Sequence, residues 1–266
     1  VTLFLVFWGA TGLSQSTANG RYQWLSDDPN LGGMSAIDMS ADGNSFVAVS
    51  DRGFILQGTV TRDAEGRITD VTHGPLHPVA RPVERVPSDS EGVALGKDGS
   101  IYISFEAVHF VTQVTATGET VARLPQHPDF LTMQHNSSLE ALAIDDDGAL
   151  YTLPERSGRY DRPFPIYRYQ NGNWDIPHAL PRGGSFLVVG ADFGPDGKLY
   201  VPVGAPCNVC DKEDENEVYA SITRMDPDGS NVEVYAKGVR NSVGFTWHPE
   251  TGDMWFADNG RDLLGD

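Results

Sequence analysis

The sequence predicts an all-β protein of the β-propeller class, and three observations carry that prediction. One short phrase recurs five times, at residues 36–49, 92–104, 141–153, 191–203 and 244–256. Each copy is an apolar run, a tight turn closed by glycine, and a second run rich in aromatic and β-branched residues. The turn glycines Gly43, Gly99, Gly148, Gly197 and Gly252 stand 56, 49, 49 and 55 residues apart, a period that signals repeated supersecondary units. Finally, no long stretch shows a capped 3.6-residue period, while 29 glycines and 17 prolines punctuate the 266 residues.

Taken in order, the chain opens on an apolar run, Thr2 to Leu13, followed by small and polar residues to Ala18. The run is too short to span a bilayer as a helix and reads as a secretory h-region, without the usual basic n-region. Residues 1–18 are therefore expected to be a signal-peptide-like segment outside the fold. A single propeller domain over 19–266 follows, with localisation in the periplasm or secreted. In the first four copies an Asp-Gly pair, or its equivalent, makes the turn, because glycine accepts the positive φ that closes a hairpin. Cys207 and Cys210, the only cysteines, sit in a Cys-Asn-Val-Cys loop; an exported protein would join them as a local disulfide.

The formal net charge is −18, from 37 acidic and 19 basic residues. That excludes nucleic acid and anionic membrane as favoured partners, since both need a basic footprint. It leaves a small molecule as partner and a monomer as the expected state.

Glu91 and Glu106 are symmetric about the turn at Gly99, and Glu140 and Glu155 about the turn at Gly148. Residues equidistant from a hairpin turn lie across from each other, so each pair should place two carboxylates side by side. Like charges so opposed need compensation: a bound cation, a neighbouring arginine or a shared proton. Asp51 and Arg52 stand at the matching distance in the first copy, and Asp89 lies just outside the second. A radial arrangement of blades would gather Asp51, Arg52, Asp89, Glu91, Glu106, Glu140 and Glu155 at one channel mouth. Such a set suits Ca²⁺, which takes six to eight oxygen ligands, and metal-assisted hydrolysis of an ester or phosphoester follows from it. Glu91, Glu106, Glu140, Asp51 and Arg52 are the catalytic candidates. No Gly-x-Ser-x-Gly elbow is present, the histidines share no spacing, and nothing marks a serine as nucleophile.

From about Arg21 to Tyr200 the chain resembles the family called "esterase-like activity of phytase". The matching phrases are Leu31-Gly-Gly-Met-Ser35, Val49-Ser-Asp-Arg-Gly53, Asp89-Ser-Glu-Gly-Val-Ala94 with Ile103-Ser-Phe-Glu106, Asn136-Ser-Ser-Leu-Glu-Ala-Leu142 and Val189-Gly-Ala-Asp-Phe-Gly-Pro-Asp-Gly197. The resemblance implies an exported propeller that hydrolyses phosphate or other esters. It places acidic positions on Asp51, Asp89, Glu91, Glu106, Glu140 and Asp192; with Glu155 added from the hairpin symmetry, Asp51, Asp89, Glu91, Glu140, Glu155 and Asp192 are the expected metal ligands. From about Val201 to Asp266 the phrases Ile222-Thr-Arg-Met-Asp-Pro-Asp-Gly229, Gly238-Val-Arg-Asn-Ser242 and Ala257-Asp-Asn-Gly-Arg-Asp262 are similar to the sorbosone dehydrogenase group. That resemblance implies pyrroloquinoline quinone as a cofactor, Arg240 and Asn241 as contacts to it, and a Ca²⁺ near the 258–262 loop. Arg182-Gly-Gly-Ser-Phe186 stands where that group carries its catalytic histidine. The two resemblances meet in Gly194-Pro-Asp-Gly-Lys-Leu-Tyr200, which points to a chimera with its seam there. Both families close a ring of six blades, whereas five hairpins are visible, so an incomplete ring is expected. The readings in play are the hydrolase, the quinone-dependent sugar or aldehyde dehydrogenase fragment, and a non-catalytic propeller binding module.

Overall fold

The structure is a computed structural model, and it describes residues 5–8, 22, 24, 28–80, 89–182, 185, 187–205, 218–247, 252 and 254–258. Five antiparallel sheets follow the five phrases. β1 (Leu5–Trp8) belongs to the last of them. The first blade is β2 (Met34–Met39), β3 (Ser45–Ser50), β4 (Phe54–Arg62) and β5 (Ile68–His73), with β6 (His77–Pro78) on β4. The second is β7 (Ser90–Leu95), β8 (Ile101–Phe105), β9 (Phe110–Val114) and β10 (Thr120–Arg123). The third is β11 (Leu139–Ile144), β12 (Leu150–Pro154), β13 (Phe164–Gln170) and β14 (Asn173–Leu180). In the fourth, β15 (Leu187–Val188) and β16 (Asp192–Phe193) share the inner edge of β17 (Leu199–Gly204), followed by β18 (Ser221–Met225) and β19 (Glu233–Lys237). The fifth sheet is β20 (Ser242–Trp247), β21 (Met254–Asp258) and β1. Thus Leu5–Trp8, within the run read as a leader, pairs with β21.

The turns explain the repeat. All five turn glycines have φ between 66° and 83°, a region closed to most L-residues. In the Asp-Gly turns the aspartate side chain accepts the N–H two residues on, as Asp98 does from Ser100 at 2.9 Å and Asp196 from Lys198 at 3.2 Å. The two residue types hold the hairpin by different means, which is why they recur together.

The core lies between blades. Val47, Val49 and Ile55 of the first blade meet Ile101, Ile103 and Phe105 of the second, all buried. Tyr151, Leu153 and Ile166 of the third meet Val201 and Val203 of the fourth. Each such large side chain contributes about 1.5–3 kcal/mol through burial. The expected open ring is corrected at its inner circle. The innermost strands β2, β7, β11, β16 and β20 each touch the next, and β20 returns against β2. Gly244 makes that last contact possible: a β-carbon there would stand 2.5 Å from Ile37 Cγ2 and 2.9 Å from Ile37 O. Among the described residues no helix is long and apolar enough to cross a membrane.

Candidate functional site

A β-bulge is what delivers the acidic side chains. In β7 the pairing runs Ser90 to Phe105 and then Gly92 to Ser104, leaving Glu91 without a partner. The same irregularity leaves Glu140 unpaired in β11, between Leu139–Pro154 and Ala141–Leu153. Ser35 occupies that place in β2 and Val243 in β20. A bulged residue is re-aimed relative to the strand, and Glu91 and Glu140 line the channel. This corrects the simple cross-strand pairing of Glu91 with Glu106 and of Glu140 with Glu155. Glu106 donates its N–H instead to Asp89 O at 2.9 Å, and Glu155 to Ser138 O at 2.8 Å. Asp51 makes the matching bond to Gly33 O at 2.9 Å.

The carboxylates still converge. Asp89, Glu91 and Glu106 place ligand oxygens within 4.8 Å of one another. Burial, then the neighbouring charge of Asp89, pushes Glu91 up to about 9. Burial moves Glu106 up to about 7, with Asp89 and Glu155 adding to it. Glu140 is raised well above the usual carboxylate range by burial first and by Glu91 next. Asp51 contributes to the field at Glu91, so six acids from three blades form one group. Arg52 is exposed, and among the described residues it joins no ion pair. Asp51 and Glu155 lie at the rim, Glu155 bridged to Arg156 Nε at 3.2 Å.

Glu106 is braced from behind. It is 5% exposed, and Ser138 N–H donates to its Oε1 at 3.1 Å. Ser138 Oγ donates to Glu106 O at 2.7 Å, and His109 Nδ1 lies 2.8 Å from the same hydroxyl. Ser138 is fully buried, so this serine–histidine contact holds the loop and offers no accessible nucleophile. No sequence signal singles out His109, whose φ of 55° places it in a turn no spacing rule marks.

Asp192 does not join the mouth. It lines the same channel but is paired in charge with Asp38, and burial followed by Asp38 raises it well above the usual range. Asp38 itself is pushed up to about 6 by burial, against Leu95 N–H and Met39 N–H, both donating to its carboxylate at 2.7 Å. The sequence reading missed Asp38. The available signal was register: Asp38 and Asp192 each stand five residues before their turn glycines, Gly43 and Gly197. Arg240 and Asn241 lie between β19 and β20, beside the end of β17, where Ala205 N–H donates to Arg240 O at 2.9 Å. Cys207, Cys210 and the 259–262 stretch lie outside the described residues.

A family model described as "Phytase-like: Esterase-like activity of phytase" matches residues 29–202. The chain belongs to this phytase-like family. The match covers all six mouth acids and ends two residues past the phrase where the two resemblances meet. An uncharacterized protein of Borreliella burgdorferi is 28% identical over 180 residues, 66% of this chain; the chain spans 45% of that protein's length. Among solved structures, the gluconolactonase XC5397 from Xanthomonas campestris superimposes with a TM-score of 0.52 at 13% identity, covering 85% of this chain and 71% of that one. A streptogramin B lyase gives 0.51 at 15% identity, covering 90% and 66%. The quinone-bound aldose sugar dehydrogenase of Streptomyces coelicolor gives 0.50 at 22% identity, covering 69% and 60%. At these identities the likeness shows the propeller fold shared by the phytase-like chain and its neighbours, and no shared activity.

Proposed function

We propose that this chain is a propeller hydrolase of esters or phosphoesters that works at the carboxylate mouth with a divalent cation, Ca²⁺ first. The observation that supports it is the convergence of Asp89, Glu91 and Glu106, with Glu140 beside them, in a group whose charges have too few donors of their own. The donor set fits such an ion. Oxygens on opposite sides of a Ca²⁺ ligated at 2.3–2.6 Å lie about 4.6–5.2 Å apart, and these carboxylates stand within 4.8 Å of one another.

Asp89, Glu91, Glu106 and Glu140 would hold the ion, with Asp51 and Glu155 at the rim. Bound there, it supplies polarisation of the ester oxygen and a lowered pKa for a bound water. The protein's own part is proton management and orientation. Glu91, protonated at neutral pH and hydrogen-bonded to Asp89, carries a proton at the mouth. Ser138 fixes the direction of Glu106. The channel below the mouth has only about 340 Å³ of empty space and is walled by all five inner strands. Substrate would therefore react at the mouth. Export to the periplasm or medium and a monomeric state belong to the same reading.

Release of product from a chromogenic phosphomonoester and from a carboxylic ester, with and without Ca²⁺, tests this. Hydrolysis that needs Ca²⁺ and falls at least a hundredfold in Glu91→Gln and Glu140→Gln supports it. Hydrolysis insensitive to both the ion and the variants, or none in a folded protein, contradicts it.

A further inference from the structure

Beside the acidic mouth lies an open pocket of about 1390 Å³ empty volume, walled by Gln134, Arg156, Gly158, Arg159, Tyr160 and Arg182, with Asp161 at its edge. In a chain of net charge −18, three arginines around one hollow need a physical reason.

Arg182 is 8% exposed. Its Nη1 donates to Ser157 Oγ at 2.8 Å and to Arg159 O at 3.3 Å. Its guanidinium also stacks 4.7 Å from the Phe164 ring centre. It is built in, fixed in orientation, and its charge lies near enough to Arg156 for the two to repel. Arg156 spends only its Nε, on Ser137 Oγ at 3.0 Å and Glu155 Oε2 at 3.2 Å. Its two terminal nitrogens have no hydrogen-bond partner among the described residues and line the pocket. Arg159 is neutralised by a two-point contact with Asp161, at 3.0 and 2.9 Å, and is exposed at the rim. So one guanidinium is anchored and a second has its fork open, while a third is already satisfied.

We infer that Arg156 and Arg182 form an oxyanion-binding subsite, of the chemistry of a phosphate group, next to the carboxylate mouth. Arginine presents donors in a planar fork matched to such oxygens. An oxyanion between the two would also remove their mutual repulsion. The placement rests on the mouth being the reactive end, as proposed above. The Glu155–Arg156 bridge joins the two regions, so a ligand seated on the arginines lies next to the rim of the mouth. This adds to the hydrolase reading a requirement that the ligand be anionic at one end.

Titration of the metal-free full chain with inorganic phosphate, followed by calorimetry, tests the subsite without relying on the cation. Saturable phosphate binding that weakens about tenfold to a hundredfold in Arg156→Gln and in Arg182→Gln is expected. Arg182→Lys should recover only part, since a point charge replaces the fork. Arg67→Gln, in the turn between the outer strands of the first blade, should bind as the parent does. The half-exposed Arg156 guards against an Arg182 variant that fails to fold. Phosphate binding unchanged in a folded Arg156→Gln chain, or no binding at ten millimolar phosphate, overturns the subsite. A separate Ca²⁺ titration divides the two proposals: phosphate binding without any Ca²⁺ response leaves the subsite and removes the cation mouth, and the reverse removes the subsite alone.

Discussion

Two layers of buried carboxylates line one channel, and they are solved in opposite ways. Asp38 stands three residues past the bulge position on its strand, about 10 Å further down the channel. Its oxygens are taken by two backbone N–H groups, and Asp192 opposite it accepts another from Phe193 at 2.7 Å. The bond from Leu95 ties the first blade to the second, and the other two come from the next residue of the same strand. At the mouth, Glu91 and Glu140 meet mainly other carboxylates. Like-charged groups gathered with few donors among them mark a place where something else binds. The difference separates a structural acid from a functional one more sharply than burial does, since both layers are buried.

The comparison breaks most visibly if Ca²⁺ does not distinguish the layers. At a hundred times its dissociation constant a ligand adds about 2.7 kcal/mol, which for a chain of this size is a rise in melting temperature of about 5–10 °C. That shift should vanish in Glu91→Gln and Glu140→Gln and persist in Asp38→Asn; thermal scans at fixed protein concentration check it.

Proton linkage sharpens the same contrast. The folded-state values of Glu91 and Glu106, at about 9 and about 7, lie above their ordinary 4.5, so the folded state holds more protons across that interval. Stability of the metal-free protein is therefore full below about 4.5 and lost progressively as pH rises through 7 and 9. Denaturant titrations from pH 5 to 9 should show that fall, and Glu91→Gln should flatten its upper part. The Asp38 contribution ends sooner, since its value is about 6.

Smaller effects probe the scaffold. Asp38→Ala leaves two buried N–H groups without an acceptor and should cost about 2–3 kcal/mol by urea unfolding, while Asp38→Asn, which keeps one acceptor, should cost less. Gly244→Ala tests the closure of the inner ring. Its β-carbon would press on the backbone of Ile37, and a loss of about 1–3 kcal/mol is expected. No loss would mean that β20 and β2 are free to part.

Much of this was readable before the structure because it is local. The turn glycines and their aspartates fix each hairpin within six residues, and symmetry about those turns selected the mouth acids. The bulge that places Glu91 and Glu140 was not readable, because it is a property of pairing, and the flanking residues look like ordinary strand. The brace from Ser138 and His109 joins residues 29 apart through an irregular turn. Contact of β2 with β20 spans the whole ring, so no neighbouring residue announces it. Resemblance groups Asp192 with the mouth because it identifies residues and not depth; the offset of Asp192 from Gly197, shared with Asp38 and Gly43, is the clue that places it in the lower layer.

The most direct measurement is calorimetric titration of the intact chain with Ca²⁺ at pH 7 in two buffers of different ionisation heat. Burial first and the charge of Asp89 next push Glu91 up to about 9, so the expected result is saturable binding with proton release, seen as a buffer-dependent enthalpy. Both should be lost in the Glu91→Gln, Glu140→Gln double variant. Absence of binding at millimolar Ca²⁺, or binding with no proton release that survives in the double variant, would contradict the assignment of this carboxylate group as the cation-holding mouth.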